Sequence, residues 1–143
     1  MKKTIITTAV LLLTMTACAQ KVARKDVPET LTAIFKQKYP VAQMVSWEKE
    51  GANYEVEFEQ EDDEISVLMD GSGNILETEK EMETERLPER IAEYVELNYK
   101  GQKIRGAAKI TLADGTVNYE AELKDKDLIF DVCGAFIKEI ILE

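Results

Sequence analysis

An internal repeat constrains this chain more than any other feature. Val27-Pro28-Glu29 recurs as Leu87-Pro88-Glu89, sixty positions later. At the same offset Leu31 matches Ile91, Ile34 matches Tyr94, Phe35 matches Val95 and Tyr39 matches Tyr99. This spacing of apolar residues makes one stripe on an amphipathic helix, present twice. A duplicated sequence unit predicts a duplicated structural unit. Each proline suits a first helical turn, where its missing N–H is harmless. Asp26 with Glu29 reads as a capping box, and Thr84 or Glu85 as help for the second start. Pro40 and Gly101 end the two helices.

Alternating stretches follow each helix. Tyr54-Glu55-Val56-Glu57-Phe58 has period two, the pattern of a strand with one face in a core and one in water. Tyr119-Glu120-Ala121-Glu122-Leu123 is its second copy. In the first copy Val45 and Trp47 begin the strand series, and Gly51-Ala52-Asn53 turns the chain into Tyr54. Glu59 to Asp63 reads as a solvated acidic loop. Ile65, Val67 and Met69 alternate along a third strand, Asp70-Gly71-Ser72-Gly73 is a hairpin turn, and Asn74 to Glu79 is a fourth strand. The second copy gives strands over Lys103 to Leu112, Val117 to Leu123, Leu128 to Phe130 and Ala135 to Leu142. Its turn Asp131-Val132-Cys133-Gly134 matches Asp70 to Gly73. The expected fold class is α+β. Two tandem helix-plus-four-antiparallel-strand repeats, 27–83 and 84–143, form one sheet of up to eight strands with both helices on one face.

The N-terminus reads as an address. Lys2 and Lys3 precede an apolar run from Ile5 to Leu13, too short to span a bilayer and placed as a signal peptide should be. Met15-Thr16-Ala17-Cys18 resembles the lipobox of bacterial lipoproteins, with Met15 where leucine is usual. Residues 1–17 are then a signal peptide, Cys18 a lipidated first residue, and 18–26 a tether with Lys21, Arg24 and Lys25. Ala19 is not the aspartate that retains lipoproteins in the inner membrane, which points to an outer-membrane anchor facing the periplasm. The alternative is cleavage before Gln20 at Ala17-Cys18-Ala19, leaving a soluble periplasmic protein.

Composition removes several function classes. The formal net charge is −10, which argues against nucleic acid as a partner. There is no histidine, so histidine-based dyads and zinc sites are out of reach. Two cysteines, Cys18 and Cys133, cannot build a thiolate metal site or a disulfide framework. Cys133 is expected to be a small half-buried residue beside Gly134. No catalytic residue, cofactor or metal ligand emerges, and no enzyme activity is expected. The membrane is expected to be touched through the N-terminal lipid alone.

Taken together, Val-Pro before a helix, Tyr39-Pro40 after it, Val45-Ser46-Trp47, the Tyr54–Phe58 strand and Asp70-x-x-Gly73 resemble the PepSY-like, β-lactamase-inhibitor-like lipoproteins. The resemblance covers nearly all of the chain after Cys18. It implies tandem helix-plus-four-strand units, secretion, no enzyme activity and an association with binding or restraining peptidases and other envelope proteins. Two departures stand out: Val132-Cys133 replaces the usual polar pair, and the second copy lacks a counterpart of Trp47.

Any function should then lie on the sheet face away from the helices. By alternation that face carries Glu48, Glu55, Glu57, Leu68 and Leu76, then Lys109, Glu120, Glu122, Ile129 and Ile137. Apolar residues ringed by carboxylates resemble an interface centre with a polar rim. Trp47 falls on the other, inner face as a core anchor. The leading expectation is a protein-binding module that inhibits or modulates an envelope peptidase or related enzyme. The alternative is a periplasmic Ca²⁺ or small-ligand binder using the acidic run Glu59 to Glu64.

Overall fold

The computed structural model describes residues 20–142. The signal peptide and Cys18 lie outside the described residues. Two ten-residue helices, α1 (Glu29–Lys38) and α2 (Glu89–Asn98), punctuate nine strands. The strands are β1 (Gln20–Lys21), β2 (Gln43–Glu50), β3 (Asn53–Gln60), β4 (Asp63–Met69), β5 (Ile75–Met82), β6 (Gly106–Leu112), β7 (Val117–Glu122), β8 (Lys126–Asp131) and β9 (Phe136–Ile141). They form one antiparallel sheet in chain order, each strand pairing with the next. The first strand is a correction to the tether expected over 18–26. Gln20 pairs with Lys49 and Lys21 with Glu48, giving the β2 edge a short cover.

The helix starts also differ from expectation. Pro28 and Pro88 are the residues just before the helices, with extended backbone, and neither helix has a side-chain cap. Asp26 does not form a box with Glu29. It belongs to a one-turn 3₁₀ segment, Arg24–Asp26, as Thr84 and Glu85 belong to Thr84–Arg86. Those turns carry the polar side chains off the helix axis before the first helical residue. The helix ends are as expected: Tyr39, held back from helical geometry by Pro40, closes α1 with φ −125°.

Strand register shows why both helices cover one face. Directly paired residues point to the same side of a sheet. Val56 pairs with Val67, Val67 with Thr78, Thr78 with Thr111 and Thr111 with Val117. Val56 and Val67 pack with Leu31 and Phe35 of α1. Ala121, two and four residues on from Tyr119 and Val117, packs with Ile91 and Val95 of α2. Two apolar clusters therefore sit side by side under the helices. The first is aromatic: Phe35 meets Trp47, Phe58 and Tyr39 at ring-centre distances of 5.6, 5.0 and 5.5 Å. In the second, Ala107 takes the place of Trp47, and Tyr94, Phe130 and Phe136 supply the rings.

The repeated Asp-x-x-Gly turn is architecture. Asp70 accepts hydrogen bonds from the backbone N–H of Ser72 and Asn74 and from the Asn74 side-chain amide. Asp131 accepts from the N–H of Cys133 and Ala135 in the same way. Gly73 has φ +90°, and a Cβ there would come within 2.2 Å of Ile34 Cδ1. Only glycine lets the turn bend that way and pass so close beneath α1. Cys133 rides on the second turn and is exposed, not half-buried.

Candidate functional site

The uncovered face follows from the same register, and it differs from the sequence reading in its details. Four rungs run across it. One carries Lys21, Glu48, Glu55, Leu68, Glu77 and Leu112. The next carries Ser46, Glu57, Ser66, Glu79, Ile110 and Asn118. A third includes Glu81, Ala108, Glu120, Ile129 and Lys138, and a fourth Gly106, Glu122, Asp127 and Ile140. Glu48, Glu55, Glu57, Leu68, Glu120, Glu122 and Ile129 thus share the open face.

One expected member, Lys109, lies on the other side, and two, Leu76 and Ile137, have no place in these rungs. Lys109 pairs with Lys80 and Tyr119, which places it on the helix-bearing side. Leu76 and Ile137 are the extra residues of two β-bulges, where Leu68 and Met69 pair with Glu77 and Ile75, and Ile129 and Phe130 with Lys138 and Phe136. Each bulge shifts the alternation of the strand after it by one residue. That shift turns Glu77, Glu79 and Glu81 onto the open face, where simple alternation had put their neighbours. The acidic run is also not a loop. Glu59 pairs with Glu64 and Gln60 with Asp63, and Glu61 and Asp62 make a two-residue turn with φ of 53° and 68°. Among the described residues, no three carboxylates converge closely enough to hold a metal ion.

What the open face holds instead is buried acid. Glu48, Glu50, Glu55, Glu77, Glu79, Glu120 and Asp127 are all at most 9% exposed. Long side chains on neighbouring strands lie over one another and over the small residues Gly106 and Ala108. None of these carboxylates is in an ion pair among the described residues, where the ion pairs are Lys80–Asp63 and Lys126–Glu139. Ser66 donates to Glu55 Oε1, but Glu55 Oε2, Glu120 Oε2 and both Asp127 oxygens find no hydrogen-bond partner.

The consequence is a raised pKa at Glu55, Glu77, Glu79, Glu120 and Asp127. Burial, opposed by the Ser66 hydroxyl and reinforced by Glu50, Glu57 and Glu48, pushes Glu55 up to about 8. Burial pushes Glu77 up to about 7 against the pull of Lys138. Glu79 is raised well above the ordinary carboxylate value by burial, then by Glu77 and Glu55. Burial raises Glu120 to about 10, with Glu79, Asp127 and Glu122 adding to it, and raises Asp127 to about 6. Ile110 and Ile129, buried on the same face, pack with Leu112 and Ile140 into a small apolar cluster beside this acid. Sequence reading missed Ile110 because Lys109, the charged residue next to it, was taken as the outward one.

Comparison with known proteins fits this fold. The family described as "Putative beta-lactamase-inhibitor-like, PepSY-like" matches residues 14–77 and again residues 62–138. The chain belongs to that family. Among solved structures, this PepSY-like chain is similar to a "BLIP-like protein" from Bacteroides fragilis, with 21% identity, a TM-score of 0.63, and 80% of this chain and 85% of that one covered. It is also similar to a DUF2874 family protein from Bacteroides uniformis, with 16% identity, a TM-score of 0.69 and 80% and 88% covered. A structure described as "putative periplasmic proteins" from Bacteroides eggerthii gives 10% identity, a TM-score of 0.71 and the same two coverages. At these identities the likeness is one of fold. No curated protein matches the chain.

Proposed function

We propose that this chain is a non-enzymatic protein-binding module of the cell envelope, and that its open sheet face engages a basic surface on the partner. The observation that carries this reading is the set of buried, unpaired carboxylates around Leu68, Ile110 and Ile129 on the one sheet face no helix covers. A free protein gains nothing from burying acid without a counter-ion, whereas an interface that supplies the counter-charge does. Modulation of an envelope peptidase or related enzyme is the form of binding that fits a family described as inhibitor-like. A periplasmic address fits the likeness to the periplasmic protein of Bacteroides eggerthii, and Cys18 is the residue proposed to carry a lipid anchor to the outer membrane.

Photo-crosslinking in intact cells tests the reading. A probe at half-exposed Leu68 should trap a discrete protein partner, and a probe at exposed Lys36 on α1 should not. Identical products from both positions, or a Leu68 product unchanged in a Glu57→Lys background, would remove this face from the account.

A further inference from the structure

The open face is not uniformly acidic. A groove of about 490 Å³ lies along its β5–β6–β7 part, lined by nine carboxylates and two arginines. Acid density alone does not make a site. Glu120 supplies the independent observation: it lines the groove, is 2% exposed, and its Oε2 accepts no hydrogen bond. We propose that this groove receives a single arginine side chain of the partner protein, with Glu79, Glu81 and Glu120 as its walls. The proposal rests on the protein-binding reading above and names the chemistry of that contact.

Geometry selects the cation. Glu81 pairs with Ala108 and Ala108 with Glu120, so two glutamates flank one small residue across three strands. Neighbouring strands lie about 4.8 Å apart, which sets these two backbones about 10 Å apart. Glu81, Ala108 and Glu120 all line the groove, and the alanine methyl leaves room between the two glutamates. One rung along, Gly106 has no side chain, and a Cβ there would stand 2.5 Å from Glu122 Oε2. That carboxylate therefore also lies over β6. Acceptors spread along a groove suit a planar guanidinium with five N–H donors better than a compact ion. No three carboxylates among the described residues converge on a metal-sized point.

The surroundings of Glu120 are acidic on every packed strand that carries a titratable group there: Glu77 and Glu79 on β5, Glu122 on β7 and Asp127 on β8. Burial raises Glu122 against the opposing pull of Arg105 at the groove, and Arg105 forms no ion pair among the described residues. An entering guanidinium would favour the ionised form of these acids, so binding should release protons to the buffer.

The test is a titration of the full secreted chain with Nα-acetyl-arginine N-methylamide at pH 7 and low salt, followed by amide NMR. Saturable shifts should concentrate on Glu81, Ala108 and Glu120, with proton release seen by calorimetry in buffers of different ionisation heat. In Glu79→Gln/Glu120→Gln the affinity should fall at least about tenfold while the fold persists. Shifts spread over exposed acids of both faces, binding unchanged in the double variant, or equal binding of CaCl₂ at the same amides would overturn the proposal. Crosslinking at Leu68 separates the two levels. Crosslinks that persist without arginine binding sink the groove alone, and arginine binding without crosslinks sinks the wider reading.

Discussion

On the face under the helices, Leu31, Val56, Val67, Ile91 and Phe130 are fully buried among apolar neighbours. On the opposite face of the same strands, Glu48, Glu55, Glu79 and Glu120 are buried almost as deeply, without one ion pair among the described residues. Burial therefore has opposite meanings on the two sides. Under the helices it removes apolar surface from water and stabilises the fold. On the open side it strips water from acid and costs stability unless the acid is protonated or paired. A sheet needs only one apolar face to hold its helices, so the second face is free to be unfavourable in isolation and useful in a complex.

Substitutions should break the comparison in opposite directions. Phe130→Ala empties a fully buried site under α2 and should cost about 3–5 kcal/mol, read by urea unfolding. Acidity should act next, through the open face alone. Glu55, at about 8, and Glu120, at about 10, keep protons in the folded chain that the unfolded chain loses near the ordinary value of 4.5. Their contribution is fully present below that value and is lost as pH rises toward the folded values. Stability should therefore fall steadily between pH 5 and pH 8, read as a lower Tm at the higher pH. A flat or rising profile would mean that the acids are not buried as described. Gly73→Ala should cost roughly 1–2 kcal/mol equally at pH 5 and pH 8, because Asp70, the ionisable group of that turn, is held below its ordinary value by the Asn74 amide and stays ionised throughout.

Sequence legibility also divides between the two faces. The helices, the hairpin turns and the helix-side core were readable because repeated apolar spacing and Asp-x-x-Gly signals each point to one local geometry. Leu68 and Ile129 were placed on the open face for the same reason, within strands of clean alternation. The carboxylates of β5 were not readable. Alternation gives the period of a strand but not its phase once a bulge intervenes, and the bulges at Leu76 and Ile137 leave no glycine or proline to announce them. Lys109 was misplaced because a charged residue is ordinarily assigned to the open side, whereas here Ala108 and Ile110 line that side and Lys109 stands with Lys80 on the other. The pairing of Gln20–Lys21 with β2 was hidden because two residues carry no periodicity.

The central claim is that the open face keeps unpaired acid at the expense of the free protein's stability. Thermal unfolding of Glu120→Gln beside the parent chain, at pH 8 and at pH 4.5, addresses it most directly. The amide keeps the shape and removes the ionisation, so the variant should be clearly more stable than the parent at pH 8 and nearly equal to it at pH 4.5. A variant less stable than the parent at pH 8 would show that Glu120 is ionised and satisfied in the free protein, and would contradict the account.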